Sequence, residues 1–296
     1  MANSDLPLNT QSTRLDGRRI ALIGAGEMAE ALVAGLLSGG ALKPEQISLT
    51  NRSGGSRLRQ LARAFGVCTN QSKAAMLAEA DVAILAVKPA DADVALTEIA
   101  PLVRRESVVV SVMAGIPLAY LADRLPGHAR LVRAMPNAAS RVGRAVTALC
   151  RSVTCDDEAF ALAHELFSQV GITVTIDESL FDAVTAISGS GPAYVYLLVE
   201  GMLEAARSLG LPDDVARRLT VQTVIGAGAM LSATPLSPGE LRRQVTSPGG
   251  TTAAALEVLK DAGFLPIVHR AVCRAAERAA ELARTPGSPS GLPPVT

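Results

Sequence analysis

Residues 19–37 read RIALIGAGEMAEALVAGLL and join a short apolar run to an amphipathic stretch through two glycines. The first six residues have the aliphatic content of a strand, and the rest repeats its apolar residues at helical spacing. Gly24, Gly26 and Ala29 form a G-x-G-x-x-A pattern between them. In a dinucleotide-binding turn, the first glycine makes the tight turn and the second lets a pyrophosphate approach the backbone. The stretch therefore predicts a dinucleotide-binding βαβ unit; a plain glycine turn is the alternative interpretation.

The alternation of strand and helix continues to about residue 177. Apolar runs at 46–50, 81–87, 107–113 and 172–176 predict further strands buried on both faces, with amphipathic stretches between them. From 179 to 284 only helix-length segments occur, interrupted by Gly and Pro. We therefore expect an α/β chain in which an N-terminal Rossmann-type, doubly wound sheet precedes an all-α domain. The expected limits are a disordered tail (1–17), the Rossmann domain (18–178), the helical domain (179–284) and a second disordered tail (285–296).

Composition excludes several classes of protein. Of the 296 residues, 49% are hydrophobic and 19% are charged, which is typical of a folded globular chain. Lys plus Arg and Asp plus Glu each number 28, so no excess charge favours nucleic acid or an anionic membrane. Aromatic residues are only 3% of the chain and tryptophan is absent, which argues against surfaces that stack on bases.

Cysteine and histidine usage bears on compartment and metal binding. Four cysteines without a C-x-x-C pair, and no secretory signal, predict free thiols in a cytoplasmic protein. The three histidines lack metal-ligand spacing, so we expect no metal site. The uncharged run 219–239 contains a glutamine, hydroxyl residues, glycines and prolines. We interpret it as a buried interface helix plus a loop and not as a membrane span.

Two segments of the helical domain, 194–202 and 221–230, are apolar on all sides. A short helical domain cannot cover such helices from within one chain. We therefore expect self-association, with a second subunit covering them.

The residues after the second predicted strand indicate which dinucleotide is bound. NAD sites carry Asp or Glu here for the ribose hydroxyls, whereas this chain has Asn51, Arg52 and Ser53. A guanidinium and a hydroxyl can bind a 2′-phosphate that a carboxylate would repel. We therefore expect NADPH as the cofactor, with NADH use left open; a solvated basic loop is the alternative. Lys88, after the next strand, either faces the cofactor or lies on the surface.

The stretch TSPGGTT at 246–252 leads directly into a helical pattern. Its two glycines let backbone N–H groups converge at a helix N-terminus, which attracts negative charge. Either a threonine caps this helix, or the loop holds a small anion. The helical domain has one lysine, Lys260, and no evident acid or base. Reduction of a protonated imine needs no proton donor on oxygen, so these residues favour imine over carbonyl reduction; a tyrosine or a bound water as the proton donor is the alternative.

Seven motifs stand in the order found in pyrroline-5-carboxylate reductases: GAGEMAEALVAG, NRS, AVKP, VMAGI, RAMPN, AISGSGPAYVY and VTSPGGTTAAALEVL. The chain resembles this family over residues 18–283. The resemblance implies NAD(P)H-dependent reduction of (S)-1-pyrroline-5-carboxylate to L-proline, the last step of proline biosynthesis. It also implies a helical domain that interlocks with a partner in dimers or larger oligomers.

The resemblance further implies roles for individual residues. Thr252 would contact the small-molecule substrate and is the expected catalytic residue. The loop residues Ser247, Gly249, Gly250 and Thr251 would help to hold the substrate's carboxylate and ring nitrogen. Family members can carry alanine at the position of Thr251, so no catalytic role follows for that hydroxyl. The implied cofactor-binding residues are Gly24, Ala25, Gly26, Glu27, Met28, Asn51, Arg52, Ser53, Asn70, Ala86, Val87, Lys88, Pro89, Ala114 and, at the nicotinamide end, Met135 and Asn137.

Two alternatives remain at this stage. A β-hydroxyacid dehydrogenase-like NADP oxidoreductase would use a helical-domain lysine with a nearby asparagine, and Lys260 is the only candidate. A non-enzymatic NADPH-binding protein would not need a second glycine-rich loop. A turnover assay distinguishes an enzyme from a binding protein.

Overall fold

A computed structural model describes residues 14–52 and 54–284. One sheet has the strand order β2-β1-β3-β4-β5-β6-β7, and all neighbouring strands are parallel except β5 and β6. An isolated parallel bridge from Ser48 to Cys68 extends the sheet beyond β2. The chain passes from β1 to β2 in one direction along the sheet and from β3 to β4 in the other. A crevice therefore opens at the carboxyl ends of β1 and β3. The strands are β1 (Ile20–Ile23), β2 (Ile47–Thr50), β3 (Val82–Leu85), β4 (Val108–Ser111), β5 (Leu131–Met135), β6 (Ala145–Arg151) and β7 (Gly171–Thr175).

Six helices accompany the sheet. Buried residues of α1, α2 and α6 pack on one face, and those of α3, α4 and α5 pack on the other. The predicted doubly wound sheet is therefore confirmed. These helices are α1 (Glu27–Ser38), α2 (Ser56–Phe65), α3 (Lys73–Glu79), α4 (Ala92–Ile99), α5 (Leu118–Arg124) and α6 (Asp157–Ser168).

The first strand shows why the strand sequences are apolar without alternation. Ile20 and Leu22 point into one hydrophobic cluster, and Ala21 and Ile23 point into the cluster on the other face. All four residues are at most 3% exposed. Burial of a Leu or Ile side chain contributes about 1.5–3 kcal/mol, so both faces of the strand stabilise the sheet.

Two strands, β5 and β6, are absent from the sequence-based interpretation. Arg133 interrupts the apolar pattern of β5, yet it is only 5% exposed. Its guanidinium lies 3.0 Å from Glu178 Oε1 and 4.5 Å from the centre of the Phe181 ring. An ion pair and a cation–π contact thus make a charged residue acceptable inside the sheet. β6 then runs antiparallel to β5.

The prediction that 172–176 is buried on both faces is wrong. β7 is an edge strand, and its Ile172 and Val174 are exposed. Thr173, between them, points to α6, where its hydroxyl lies 2.8 Å from His164 Nε2. Only one face of this strand is covered within the first unit.

The described chain divides into two compact units. One runs as far as Gly189 and resumes at Ala276, and the other comprises Ser190–Ala275. The domain limits drawn from the sequence stay a prediction. Of the predicted tail 1–17, residues 14–17 are described and form a turn in which Leu15 is buried; the rest of that tail, and the tail 285–296, lie outside the described residues.

The remaining helices follow β7, and no strand occurs among residues 179–284, as the sequence predicts. A π-helical turn, Thr185–Gly189, directly follows α7. No described helix has the length and apolar character that a membrane crossing requires. The helices are α7 (Phe181–Val184), α8 (Gly191–Ser208), α9 (Asp213–Ala233), α10 (Pro238–Gln244), α11 (Thr251–Asp261) and α12 (Phe264–Arg284).

Apolar side chains of α8 and α9 are largely uncovered in the second unit. α8 has no buried residue, and Leu197 on this helix is 69% exposed. Ile225 and Leu231 on α9 are exposed as well. Large apolar surfaces of this kind mark association sites.

Candidate functional site

The glycine turn lies at the carboxyl end of β1. Gly24 has φ +114°, and its N–H donates to the Thr50 carbonyl at 2.8 Å. A Cβ atom at Gly24 would meet the backbone of Ala86, so this position accepts glycine alone. Gly26, by contrast, has open space where a Cβ would stand. The turn therefore packs against the end of β3 on one side and is open on the other.

The N-terminus of α1 faces this open side. Gly26 is the N-cap, and no described side chain accepts a hydrogen bond at the cap. The first N–H groups of a helix need acceptors from outside the helix, and the helix dipole makes an anion the favoured one. The turn is thus suited to a pyrophosphate. Ala25 and Ala29 are buried behind it.

The corner after β2 combines a buried oxygen that has no partner in the described chain with an exposed guanidinium. The side-chain oxygen Oδ1 of Asn51 is buried and has no hydrogen-bond partner among the described residues. Arg52 is exposed and pairs with Asp91 Oδ1 at 3.0 Å. Asn70, beyond the Cys68 bridge, is exposed. An orphaned acceptor beside an exposed guanidinium fits a ribose that carries a phosphate. Ser53, also predicted here, lies outside the described residues.

The loops after β3 and β4 lie at the same edge of the sheet. Ala86 and Val87 are half-buried, and the Ala86 N–H donates to the Ile23 carbonyl at 2.8 Å. Lys88 is exposed, and its ammonium has no ion-pair partner in 14–52 or 54–284. Pro89 begins a short 3₁₀ turn, and Ala114, after β4, is half-buried. The structure thus places Ala86 and Val87 against the Gly24 turn, and the other predicted residues lie in loops at the same edge of the sheet.

Asn137 uses its amide inside the protein. Its Oδ1 accepts from the Ala139 N–H at 3.1 Å, and its Nδ2 donates to the Ser188 carbonyl at 3.0 Å. The side chain therefore caps the turn 138–142 and holds the π-helical turn Thr185–Gly189. Met135, at the end of β5, is half-buried. Each amide atom of Asn137 has capacity for a further hydrogen bond, so its role at the nicotinamide end stays a prediction.

The second unit carries the other predicted loop, 246–252. Gly249 has φ +69°, and the Gly250 N–H donates to the Ser247 carbonyl at 3.1 Å. Gly250, and neither threonine, is the N-cap of α11. The interpretation in which a threonine caps this helix is therefore wrong.

The hydroxyls of Thr251 and Thr252 have no hydrogen-bond partner in the described part of the chain. Thr251 is exposed and Thr252 is half-buried. The loop thus combines an uncapped helix N-terminus with two available hydroxyls, which suits a small carboxylate.

The two buried thiols are unreactive, and no metal centre is found among the described residues. Burial raises the pKa of the Cys150 thiol to about 12 and that of Cys155 to about 11, so both stay protonated at neutral pH. No three His, Cys, Asp or Glu side chains in the described ranges are grouped to hold a metal ion. Lys260, the lysine required by the dehydrogenase alternative, is exposed in the last turn of α11.

A group of charges beside the glycine turn does not follow from the sequence pattern. Glu30 on α1 binds the guanidinium groups of both Arg57 and Arg141. Hydrogen bonds from Arg141 and Arg57 hold the pKa of Glu30 below its ordinary value. From the sequence alone, a carboxylate one turn into a helix is interpreted as a solvated residue. Only the folded chain brings Arg141, which is distant in sequence, to Glu30.

Comparison with known proteins covers both units. A family model described as pyrroline-5-carboxylate reductase dimerisation matches residues 178–282, and one described as NADP oxidoreductase, coenzyme F420-dependent, matches residues 19–115. The pyrroline-5-carboxylate reductase of Pseudomonas aeruginosa is 40% identical over 270 residues, which are 91% of this chain and 98% of that protein. The reductase of Arabidopsis thaliana is 38% identical over 90% of this chain and 96% of its own length.

Solved structures agree with these matches. The pyrroline-5-carboxylate reductase of Coxiella burnetii superposes with a TM-score of 0.80 at 36% identity, covering 90% of this chain and 99% of that chain. The Plasmodium falciparum pyrroline carboxylate reductase with NADP bound gives a TM-score of 0.81 at 26% identity, with 90% and 98% covered. The open glycine turn, the polar corner after β2 and the dimerisation domain thus occur in one chain, and the chain belongs to the pyrroline-5-carboxylate reductase family.

Proposed function

We propose that the protein reduces 1-pyrroline-5-carboxylate to L-proline and uses NADPH as the preferred reductant. The observation that carries this proposal is the loop 246–252. It presents a helix N-terminus without a side-chain cap and two threonine hydroxyls that have no partner among residues 14–52 and 54–284, in the unit that the dimerisation family matches. The named activity of the relatives supports the same substrate.

The residues at the carboxyl edge of the sheet fit the cofactor. The N–H groups at the start of α1 bind the pyrophosphate, and the missing Cβ of Gly26 leaves room for it. Asn51 Oδ1 accepts a hydrogen bond from a ribose hydroxyl. Arg52 exchanges Asp91 for the 2′-phosphate, whose greater charge makes it the stronger partner. The absence of a carboxylate at positions 51 and 52 supports NADPH over NADH.

The loop 246–252 holds the substrate. Backbone N–H groups at Gly250 and at the start of α11 bind the carboxylate, and Thr252 contributes a hydroxyl hydrogen bond. Ser247 and Gly249 shape the turn that aims these groups, and Thr251 provides a second, more exposed hydroxyl.

The proposed reaction requires no general acid or base from the protein at the hydride-transfer step. Bound NADPH supplies a hydride for the imine carbon. The iminium nitrogen already carries its proton, so the product amine forms without a proton donor on the protein. The thiols of Cys150 and Cys155 are buried and protonated, and neither is required. The side chains of the site therefore act by holding the substrate and orienting its imine carbon toward the reductant.

Assembly and compartment complete the proposal. The chain forms a homodimer or a larger homo-oligomer through α8 and α9, whose apolar side chains are uncovered in one chain. The dimerisation family match supports this assembly. The four cysteines are free thiols, which supports a reducing, cytoplasmic location.

A turnover assay tests the proposed reaction. Purified protein, NADPH and 1-pyrroline-5-carboxylate should give a fall in NADPH absorbance and an equal amount of proline, identified by mass spectrometry. A β-hydroxyacid with NADP⁺, tested in parallel, should give no change. Binding of NADPH without formation of proline would reject the reductase and leave a cofactor-binding protein.

A further inference from the structure

Glu30 lies between two arginines that come from distant parts of the first unit. Its side chain is only 15% exposed, although it stands in the first turn of α1. Its Oε1 accepts from Arg141 at 2.9 Å, and its Oε2 accepts from Arg57. One partly buried carboxylate therefore pairs with two guanidinium groups.

Arg57 connects this carboxylate to the glycine turn. It stands at the start of α2, next to the corner that carries Asn51 and Arg52. Its Nε donates to the Ala25 carbonyl at 3.0 Å, inside the G-x-G-x-x-A pattern. The guanidinium is thus held between the glycine turn and Glu30, and its side chain is 28% exposed.

Arg141 connects Glu30 to the loop after β5. It belongs to the 3₁₀ turn Ala138–Val142, which Asn137 caps. Ser140, which precedes Arg141, is fully buried. The Ser140 carbonyl oxygen would lie 2.0 Å from a Cβ atom placed on Gly35. Only glycine permits this approach, so the turn packs directly on α1. Arg141 then fixes the turn to the first helical turn of α1 as well.

We propose that Glu30 is a positioning residue for NADPH, because its carboxylate clamps Arg57 and Arg141 and so fixes the loops at the two ends of the cofactor relative to each other. The glycine turn and the β2 corner lie on the adenosine side, and the segment 135–142 lies on the nicotinamide side of the proposed site. The inference rests on the cofactor site given under the proposed function.

The charges explain why Glu30 is needed and not just any acidic residue. Glu27 also approaches both arginines, at 3.3 Å and 3.8 Å, but its side chain is 87% exposed. Solvent screens the contacts of Glu27 with both arginines, so Glu27 is a weaker partner for them than the partly buried Glu30. Removal of the Glu30 charge leaves the two guanidinium groups with the exposed Glu27 as their carboxylate partner in the described chain, so their mutual repulsion should loosen the contact between the two loops.

Glu30→Gln tests this role, because glutamine keeps the size of the side chain and loses its charge. The dissociation constant for NADPH, measured by titration calorimetry, should rise about tenfold to a hundredfold. The kcat at saturating NADPH should stay within about twofold of wild type, because the substrate loop is unchanged. Glu165→Gln is the matched control: Glu165 on α6 is 19% exposed and pairs with Arg14, so NADPH binding should not change.

A second measurement needs no cofactor. Hydrogen exchange in the free protein should be faster in Glu30→Gln at the Ser140, Gly143 and Arg144 amides, which donate within the turn after Asn137. Arg141→Met should have a similar effect on NADPH binding, and the double variant should be no worse than either single one.

The outcomes separate the inference from the proposed function. Unchanged exchange and unchanged NADPH affinity in Glu30→Gln would overturn the inference. Faster exchange throughout the first unit, with a matching fall in kcat, would show a merely structural role and also overturn it. Failure of the wild type to bind NADPH would reject the proposed cofactor, whereas the exchange result would still decide whether Glu30 fixes the turn.

Discussion

A Cβ atom on Gly24 would lie 2.3 Å from the carbonyl oxygen of Ala86. The glycine turn after β1 is thus in van der Waals contact with the backbone that follows β3. This contact brings two of the predicted cofactor-binding segments together, and it leaves the side of Gly26 open.

Gly24→Ala and Gly26→Ala should therefore differ. Alanine at 24 meets backbone atoms and takes a φ of +114°, so we expect a loss of about 1–3 kcal/mol of stability together with weaker NADPH binding. Alanine at 26 meets nothing in the free protein, so the melting temperature should hardly change while NADPH affinity falls. Thermal melts with and without NADPH measure both effects. Equal loss of stability in both variants would contradict the assignment.

Arg52→Ala should weaken the use of NADPH and spare that of NADH. A charge-assisted hydrogen bond contributes about 1.5–3 kcal/mol, so kcat/KM for NADPH should fall about tenfold to a hundredfold. Asp91, the partner of Arg52 in the free protein, is exposed, so loss of this pair has little effect on stability. Arg59→Ala, on the exposed side of α2, is the control. Equal losses with both cofactors would reject a contact with the 2′-phosphate.

Thr252→Ala should lower kcat/KM for pyrroline-5-carboxylate about tenfold to a hundredfold, with stability unchanged, because its hydroxyl has no partner in the described chain. Ser237→Ala is the control and should lower the stability without lowering kcat/KM. Ser237 forms a capping box with Glu240 at the start of α10, so its loss should cost about 1 kcal/mol and leave kcat/KM intact. A lower melting temperature and normal kinetics for Thr252→Ala would remove it from the site.

Leu198→Asp should disrupt the oligomer. Leu198 on α8 is 46% exposed in one chain, and a charge buried in an apolar interface costs several kcal/mol. Light scattering should show a shift to monomer. Val153→Asp is the control, because Val153 is an exposed apolar residue of the first unit and its change should not affect assembly. A wild-type protein that is monomeric at micromolar concentration would refute the proposed assembly.

His128 should make stability depend on pH. Burial lowers the pKa of His128 below its ordinary value of 6.5, and its Nε2 donates to the Ser107 carbonyl at 3.0 Å. The unfolded chain thus takes up a proton at a higher pH than the folded chain does. The contribution is fully present above pH 6.5 and is lost as the pH falls through the lowered pKa, by at most about 1.4 kcal/mol per pH unit.

His128→Gln keeps a donor for the Ser107 carbonyl and cannot take up the proton. Urea unfolding at several pH values should show a shallower slope below pH 6.5 in this variant, even where its absolute stability is lower. The same slope in both proteins would assign the acid sensitivity to other groups.

The sequence by itself determined the doubly wound sheet, the glycine turn, the helical second half and the family, because each depends on local periodicity or on a motif. It also located the loop 246–252, since two glycines before a helical pattern mark a turn. The edge position of β7 and the place of Arg133 inside β5 did not follow from local pattern, because both depend on neighbouring elements.

The tertiary structure alone decided which hydrogen bonds several of these polar side chains make. Asn137 resembles a ligand-binding residue in its motif, but its amide is bonded to Ala139 and to Ser188, which lies 51 positions away. Glu30 resembles a solvated residue, yet Arg141, 111 positions later, is its partner. The physical reason is that a buried polar group must find a partner, and the partner is selected by the folded backbone and not by nearness in sequence.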